Sequence, residues 1–147
     1  MITDAERKTL ARAARILERL ALRGPALGSP AEVGNWLRHR YAGDYQEHFG
    51  VIFLDNQHRV IAAEELFHGT IDGASVYPRT VTLAALNQGA AAVVFYHNHP
   101  SGIAEPSQAD QRITGRLKDS LALIDVRVID HIIAGDGFVS FAERGLL

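Results

Sequence analysis

The sequence predicts an α/β fold, a β-sheet flanked by helices with an N-terminal helix ahead of it. Three observations carry that expectation. Stretches with the apolar spacing of helices mingle with short extended runs bounded by turn residues, the pattern of a layered α/β domain. The run Ala90-Ala91-Ala92-Val93-Val94-Phe95-Tyr96 is uninterrupted, apolar and set off by Gln88-Gly89, as expected for a strand buried on both faces. At 147 residues, 47% hydrophobic and 22% charged, the chain has the size of one ordinary globular domain plus a small appendage.

From the amino end, Thr3 or Asp4 can cap a helix running to about Leu22, with an apolar stripe of Leu10, Ala13, Ala14, Leu17, Leu20 and Ala21. Arg7, Lys8, Arg12, Arg15, Arg19 and Arg23 line its other side, which reads as a solvated face or as a contact for nucleic acid or an acidic partner. Gly24-Pro25-Ala26-Leu27-Gly28 reads as a linker. Ser29-Pro30-Ala31-Glu32 then supplies a serine cap, a proline at the first helical position and a glutamate three after the serine, announcing a helix through about Arg40. Strands follow near Phe49 to Leu54 and Arg59 to Phe67, then a helix from about Arg79 to Gln88 and the apolar strand. A helix from Ser107 to about Leu121 comes next. Strands near Asp125 to Ala134 and Phe138 to Phe141 are joined by Gly135-Asp136-Gly137, a hairpin signal. The expected division is residues 1–25 as amphipathic helix and linker and residues 26–147 as the main domain, without internal repeats.

The chemistry concentrates in His97-Asn98-His99-Pro100-Ser101-Gly102, followed by Pro106-Ser107 and Asp110. Alternation along an extended backbone sends residues two apart to one face, so both imidazoles can address one ion while Asn98 points away. Pro100 and Gly102 take the chain out of the sheet. Ser107 has N-cap chemistry, which puts Asp110 in a first helical turn, where the dipole favours an ionised carboxylate facing back toward the histidines. Two imidazoles and a carboxylate suit Zn²⁺ and leave a fourth position open for water. Structural zinc sites usually close with four ligands, often cysteines, and this chain has no cysteine. The blander alternative is that the histidines end a strand and Asp110 merely caps a helix. The full spacing, Pro-x-Gly and then Pro-Ser-x-x-Asp, favours the metal.

That spacing, His-x-His-Pro-x-Gly-x-x-x-Pro-Ser-x-x-Asp, resembles the JAMM signature of the JAB/MPN metalloproteases, and His-Asn-His-Pro-Ser-Gly is similar to the bacterial RadC branch. The segments Glu47 to Asp55, Gly69-Thr70, Tyr77-Pro78-Arg79 and Asp130-His131-Ile132-Ile133 also resemble that branch, so the likeness covers roughly the last four-fifths of the chain. The resemblance implies an MPN/JAB-like (cytidine-deaminase-like) fold with a curved mixed sheet. It implies Zn²⁺ held by His97, His99 and Asp110, with a bound water attacking an amide, peptide or isopeptide bond. Glu47 would be the acid/base and Ser107 would steady the oxyanion, beside its plainer role as a helix cap. Glu64 and Glu65 compete with Glu47, although one of them can equally be an edge-strand charge. His131 reads as a buried histidine or a partner of the ligands rather than a fourth ligand. His39, His48, His58 and His68 lack ligand spacing and read as surface or turn residues. The letters of His97-Asn98-His99 also occur in the name of the HNH nucleases, but those are named for dispersed residues and not for a contiguous tripeptide.

Two other function classes stand beside the hydrolase: a non-catalytic metal-binding module associated with DNA repair or replication, and a metal nuclease. A net charge of −2 argues against broad electrostatic capture of nucleic acid. Full-length RadC relatives often carry a helix-hairpin-helix DNA-binding region, which the roughly 28 residues ahead of Ser29, without a glycine-centred hairpin, cannot form. No apolar run approaches the roughly 20 residues of a membrane span. The charged start, Met1 to Lys8, does not resemble a signal peptide, so a cytoplasmic location is expected. Zero cysteines fit a reducing compartment and exclude thiol catalysis and disulfides in this chain.

Overall fold

Local capping chemistry sets most element boundaries in the computed structural model, which describes residues 2–23, 28–69 and 75–147. The expected linker at Gly24 to Leu27 and Thr70 of the Gly69-Thr70 segment lie outside the described residues. Helix α1 (Asp4–Arg23) begins where Thr3 Oγ1 accepts from the Glu6 N–H at 3.3 Å and the Glu6 carboxylate accepts from the Thr3 N–H at 2.8 Å. Ser29 caps α2 (Pro30–Arg40), whose first turn carries the proline. Helix α3 (Pro78–Gln88) stops at Gly89, which takes a left-handed φ of 62°. Helix α4 (Gln108–Ala122) opens with a reciprocal cap between Ser107 and Asp110.

Strands β1 (Glu47–Leu54), β2 (Val60–Gly69), β3 (Ala92–Asn98), β4 (Arg127–Ala134) and β5 (Phe138–Ser140) form one sheet in the order β2-β1-β3-β4-β5. The β3–β4 pair is parallel and the other three pairs are antiparallel, so the sheet is mixed, in agreement with the expected fold class. Helix α4 makes the crossover between β3 and β4. Their carboxyl ends therefore lie side by side at one end of the sheet, where α/β folds characteristically place ligands.

Alternation along the strands divides the core in two. Ile52, Leu54, Tyr96 and Ile132 pack with Trp36 and Leu37 of α2 and Ala14 of α1. Val51, Phe53, Val93 and Phe95 pack with Val81 and Ala85 of α3 and Leu117 and Leu121 of α4. Strand β3 is covered on both faces, as its unbroken apolar run predicted. A Cβ at Gly50 would collide with the Tyr96 ring and the Glu64 carbonyl, so glycine there lets Tyr96 lie against β1.

Four expectations need correction. Phe141 does not end a strand; Ser140 Oγ accepts from the Glu143 N–H at 3.1 Å and caps a one-turn helix, α5 (Phe141–Arg144). Strand β4 starts at Arg127 and not at Asp125, because Asp125 sits at a φ of 58° in the turn that ends α4. The predicted stripe of α1 is only partly covered. Ala14 is buried, and its carbonyl accepts from Trp36 Nε1 at 3.3 Å, but Leu17 and Leu20 are 43% and 57% exposed. His48 is not a surface residue, as described below. Among the described residues no helix is long and apolar enough to cross a membrane.

Candidate metal centre

The end of β3 and the start of β1 and α4 bring four predicted residues together. The ligating atoms of Glu47, His97, His99 and Asp110 all lie within 4.8 Å of one another. His97 belongs to β3, and His99 follows it by extending the pairing with β4, its N–H donating to the Ala134 carbonyl at 2.7 Å. Gly102 then turns the chain at a φ of 86°, its N–H donating to the His99 carbonyl at 3.0 Å. The carboxylate of Asp110 accepts from the Ser107 N–H at 2.7 Å, and Ser107 Oγ accepts from the Asp110 N–H at 3.0 Å. That reciprocal cap fixes the aspartate in the first turn of α4, aimed at the histidines.

The hydrogen-bond network determines which imidazole nitrogens face the cluster. Thr114 Oγ1 lies 2.6 Å from the Asp110 carbonyl oxygen, which has no proton to give, so the hydroxyl proton is committed there. The hydroxyl oxygen must then accept from His131 Nδ1 at 2.7 Å, which leaves His131 Nε2 to accept from His97 Nδ1 at 2.8 Å. A neutral His97 therefore carries its lone pair on Nε2. His99 reaches the same state by donating from Nδ1 to the Ile103 carbonyl at 2.8 Å. In the neutral rings two Nε2 lone pairs thus face each other across 2.8 Å, an arrangement relieved by a cation, either a proton or a metal ion.

Asp110 completes the fit, with Oδ1 at 3.3 Å from His97 Nε2 and Oδ2 at 3.2 Å from His99 Nε2. Donor atoms around a tetrahedral metal with bonds near 2.0–2.1 Å stand about 3.3 Å apart, which these separations approach. Glu47 Oε1 stands further out, 3.8 Å from each Nε2. The donor set therefore suits a metal ion, with three atoms close together and one carboxylate standing off.

Charge follows the same geometry. Burial works against ionisation of Asp110, but in the metal-free chain hydrogen bonds from protonated His97 and His99, the charge of His97 and the Ser107 N–H outweigh it and hold the carboxyl well below its usual range. Burial pushes His99 down, yet the Asp110 carboxylate and the Ile103 carbonyl win and raise it. His131 is fully buried, which together with the neighbouring charge of His97 drives it far below the ordinary imidazole value, so it is neutral. A neutral His131 is what the proton count above requires.

Other candidates lie elsewhere. Glu64 accepts from the Gln88 side chain and Glu65 from Tyr41 Oη at 3.2 Å, both away from the cluster. His48, read as a surface or turn residue, is largely buried between Asp44 and Glu65 and stacks on Tyr41 with ring centroids 4.6 Å apart. Its side chain points to the α2 face because the strand alternation that sends Glu47 toward His97 and His99 sends its neighbour the other way. Thr114 was missed by sequence reading. It lies four residues after Asp110, one helical turn further along the same face, which is the signal that could have found it. A cavity of about 670 Å³ opens beside His99, bordered by Arg7, Tyr41, Asp44, Asn98, Pro100 and Asp136.

Known proteins carry similar sequences. The chain is 56% identical over 142 residues to a UPF0758 protein of Vibrio cholerae, covering 97% of this chain and 90% of that one. It is 57% identical over 133 residues to a UPF0758 protein of Thioalkalivibrio sulfidiphilus and 61% identical over 131 residues to one of Stutzerimonas stutzeri. It covers 60% and 58% of those two proteins, so they are substantially longer than this chain. The model of the RadC-like JAB domain matches residues 27–146, and the chain belongs to that family.

Proposed function

We propose that the chain is a zinc-dependent hydrolase of the JAMM type that cleaves an amide bond, in a peptide or an isopeptide. The observation that carries this reading is the pair of imidazoles whose Nδ1 protons are both committed elsewhere while their Nε2 lone pairs converge with Asp110. In this reading His97, His99 and Asp110 hold the metal. Bound zinc supplies a Lewis acid that polarises a carbonyl and makes water acidic enough to ionise near neutral pH. Glu47, standing off at 3.8 Å from both Nε2 atoms, takes a proton from the attacking water and returns it to the departing amine. The Ser107 hydroxyl, exposed at the start of α4, steadies the oxygen on which negative charge develops while continuing to cap the helix.

Elemental analysis of untagged wild type beside the His97→Ala/His99→Ala double variant tests the metal. About one zinc per chain in the wild type, lost in the variant, is expected for a three-ligand catalytic site. Peptide and isopeptide substrates then test the reaction, with Glu47→Gln expected to retain zinc and lose turnover. Metal-free wild type purified without chelators would sink the hydrolase, and DNA nicking abolished by His97→Ala would move the chemistry to a nuclease.

A further inference from the structure

The backbone ladder between β1 and β3 ends two residues short of Glu47. Its last pair is Phe49 with His97, so neither Glu47 nor His48 has a main-chain partner on β3. The side chain of Asn98 takes over. Its Oδ1 accepts from the His48 N–H at 2.6 Å and its Nδ2 donates to the Gln46 carbonyl at 2.9 Å. A carboxamide carries one acceptor and one donor group, as a peptide unit does, and here it substitutes for the missing rung of the ladder. The two bonds grip the backbone on either side of Glu47.

We propose that Asn98 is the positioning residue for Glu47, a role that rests on the hydrolase reading above. On its other edge β1 pairs Glu47 with Gly69 and His48 with His68, so with Asn98 in place the backbone around Glu47 is fixed from both sides. The glutamate side chain is then directed to the opposite face, 3.8 Å from both Nε2 atoms. The alternation that sends His97 and His99 to the metal face sends Asn98 to the other, where it is 5% exposed and able to bond the neighbouring strand. The residue between the two ligands thereby sets the distance of the carboxylate that works beside them. Aspartate would keep the acceptor toward His48 but lose the donor toward Gln46, and alanine would lose both.

Cobalt(II) substitution tests this without a substrate, because visible d–d bands report the surroundings of the metal and a merely structural role would not move them. Wild type, Glu47→Gln, Asn98→Ala and the double variant are titrated with Co²⁺, with thermal melts run alongside. Asn98→Ala is expected to keep full cobalt stoichiometry and to shift the bands in the same sense as Glu47→Gln. The double variant is expected to bind cobalt within about twofold of Glu47→Gln alone, since coupled residues do not add. If Asn98→Ala does not fold, Asn98→Asp serves in its place. Bands in the Asn98 variant that match wild type while Glu47→Gln differs, or two effects that simply add, would overturn the positioning role. A wild-type chain that binds no cobalt would instead bring down the metal-centre reading, and a Glu47→Gln whose bands match wild type would remove Glu47 from the metal's surroundings and this role with it.

Discussion

Two histidine–carboxylate clusters flank the start of β1, one on each face of the sheet, and they differ in where their imidazole nitrogens point. On the α2 face, His48 spends Nε2 on Asp44 at 2.9 Å and Nδ1 on Glu65, and Tyr41 Oη bonds that same glutamate. Both nitrogens are used, in divergent directions, and the imidazole ties the segment after α2 to β2. On the other face His97 and His99 each spend one nitrogen on a neighbour and turn the other toward a common point. Residue content is similar in the two clusters. Convergence of uncommitted lone pairs separates them.

The sharpest way to break that contrast is to compare metal content. His97→Ala/His99→Ala should lose all of the bound metal, whereas His48→Ala should retain it and lose about 1 kcal/mol of stability in urea melts, the scale of a half-buried hydrogen-bonded pair. Metal loss in His48→Ala would erase the distinction. His131→Ala should come next, weakening metal affinity about 10- to 100-fold by releasing the ring orientation of His97. Thr114→Val should act in the same direction, since it leaves His131 Nδ1 without an acceptor; competition with a chromogenic chelator measures both, and unchanged affinity in both would refute the proton count.

Acidity sharpens the comparison more gently. His99 is raised above its ordinary 6.5, so its contribution to the metal-free chain is present below that pH and is lost as pH rises through its folded value. Asp110 is depressed below 3.8, so its contribution is present above that pH and is lost as pH falls through its folded value. A metal displaces the His99 proton, so metal affinity should climb from acid to neutral pH. Melting curves with zinc and with chelator should therefore diverge as pH rises through 6.5, and parallel curves would contradict the assignment. The smallest effect belongs to Ser107→Ala, which removes the α4 cap and should cost about 1 kcal/mol in the same melts. An unchanged midpoint there would mean that the cap contributes nothing.

Much of the fold was legible because its signals are local. Ser29-Pro30 and Ser107 announce helices through their own hydrogen bonds, and the apolar run of β3 announces burial on two faces. His97, His99 and Asp110 were legible for the same reason, since strand alternation and a helix cap act over a few residues. Glu47 became a candidate only through resemblance, because what brings it near His97 is the β1–β3 pairing across some fifty positions. His48 was misread because nothing near it in sequence reveals that Glu65 lies across the β1–β2 pair. Phe141 was misread because the serine that stops the strand is also the cap of the next turn.

That last turn reaches further than its length suggests. Phe141 stacks on His131 with ring centroids 4.6 Å apart, and Asp130 anchors the corner by accepting from Ser140 Oγ at 2.6 Å and from the Ala142 N–H at 2.9 Å. On the ribosome, His97, His99 and Asp110 emerge before Asp130, His131 and Phe141, which build the wall that orients His97. A nascent polypeptide thus carries its ligand atoms before it carries the structure that aligns them. Alignment of His97 therefore depends on residues well beyond it in sequence, and a substitution at Ser140 or Phe141 acts on the cluster through His131.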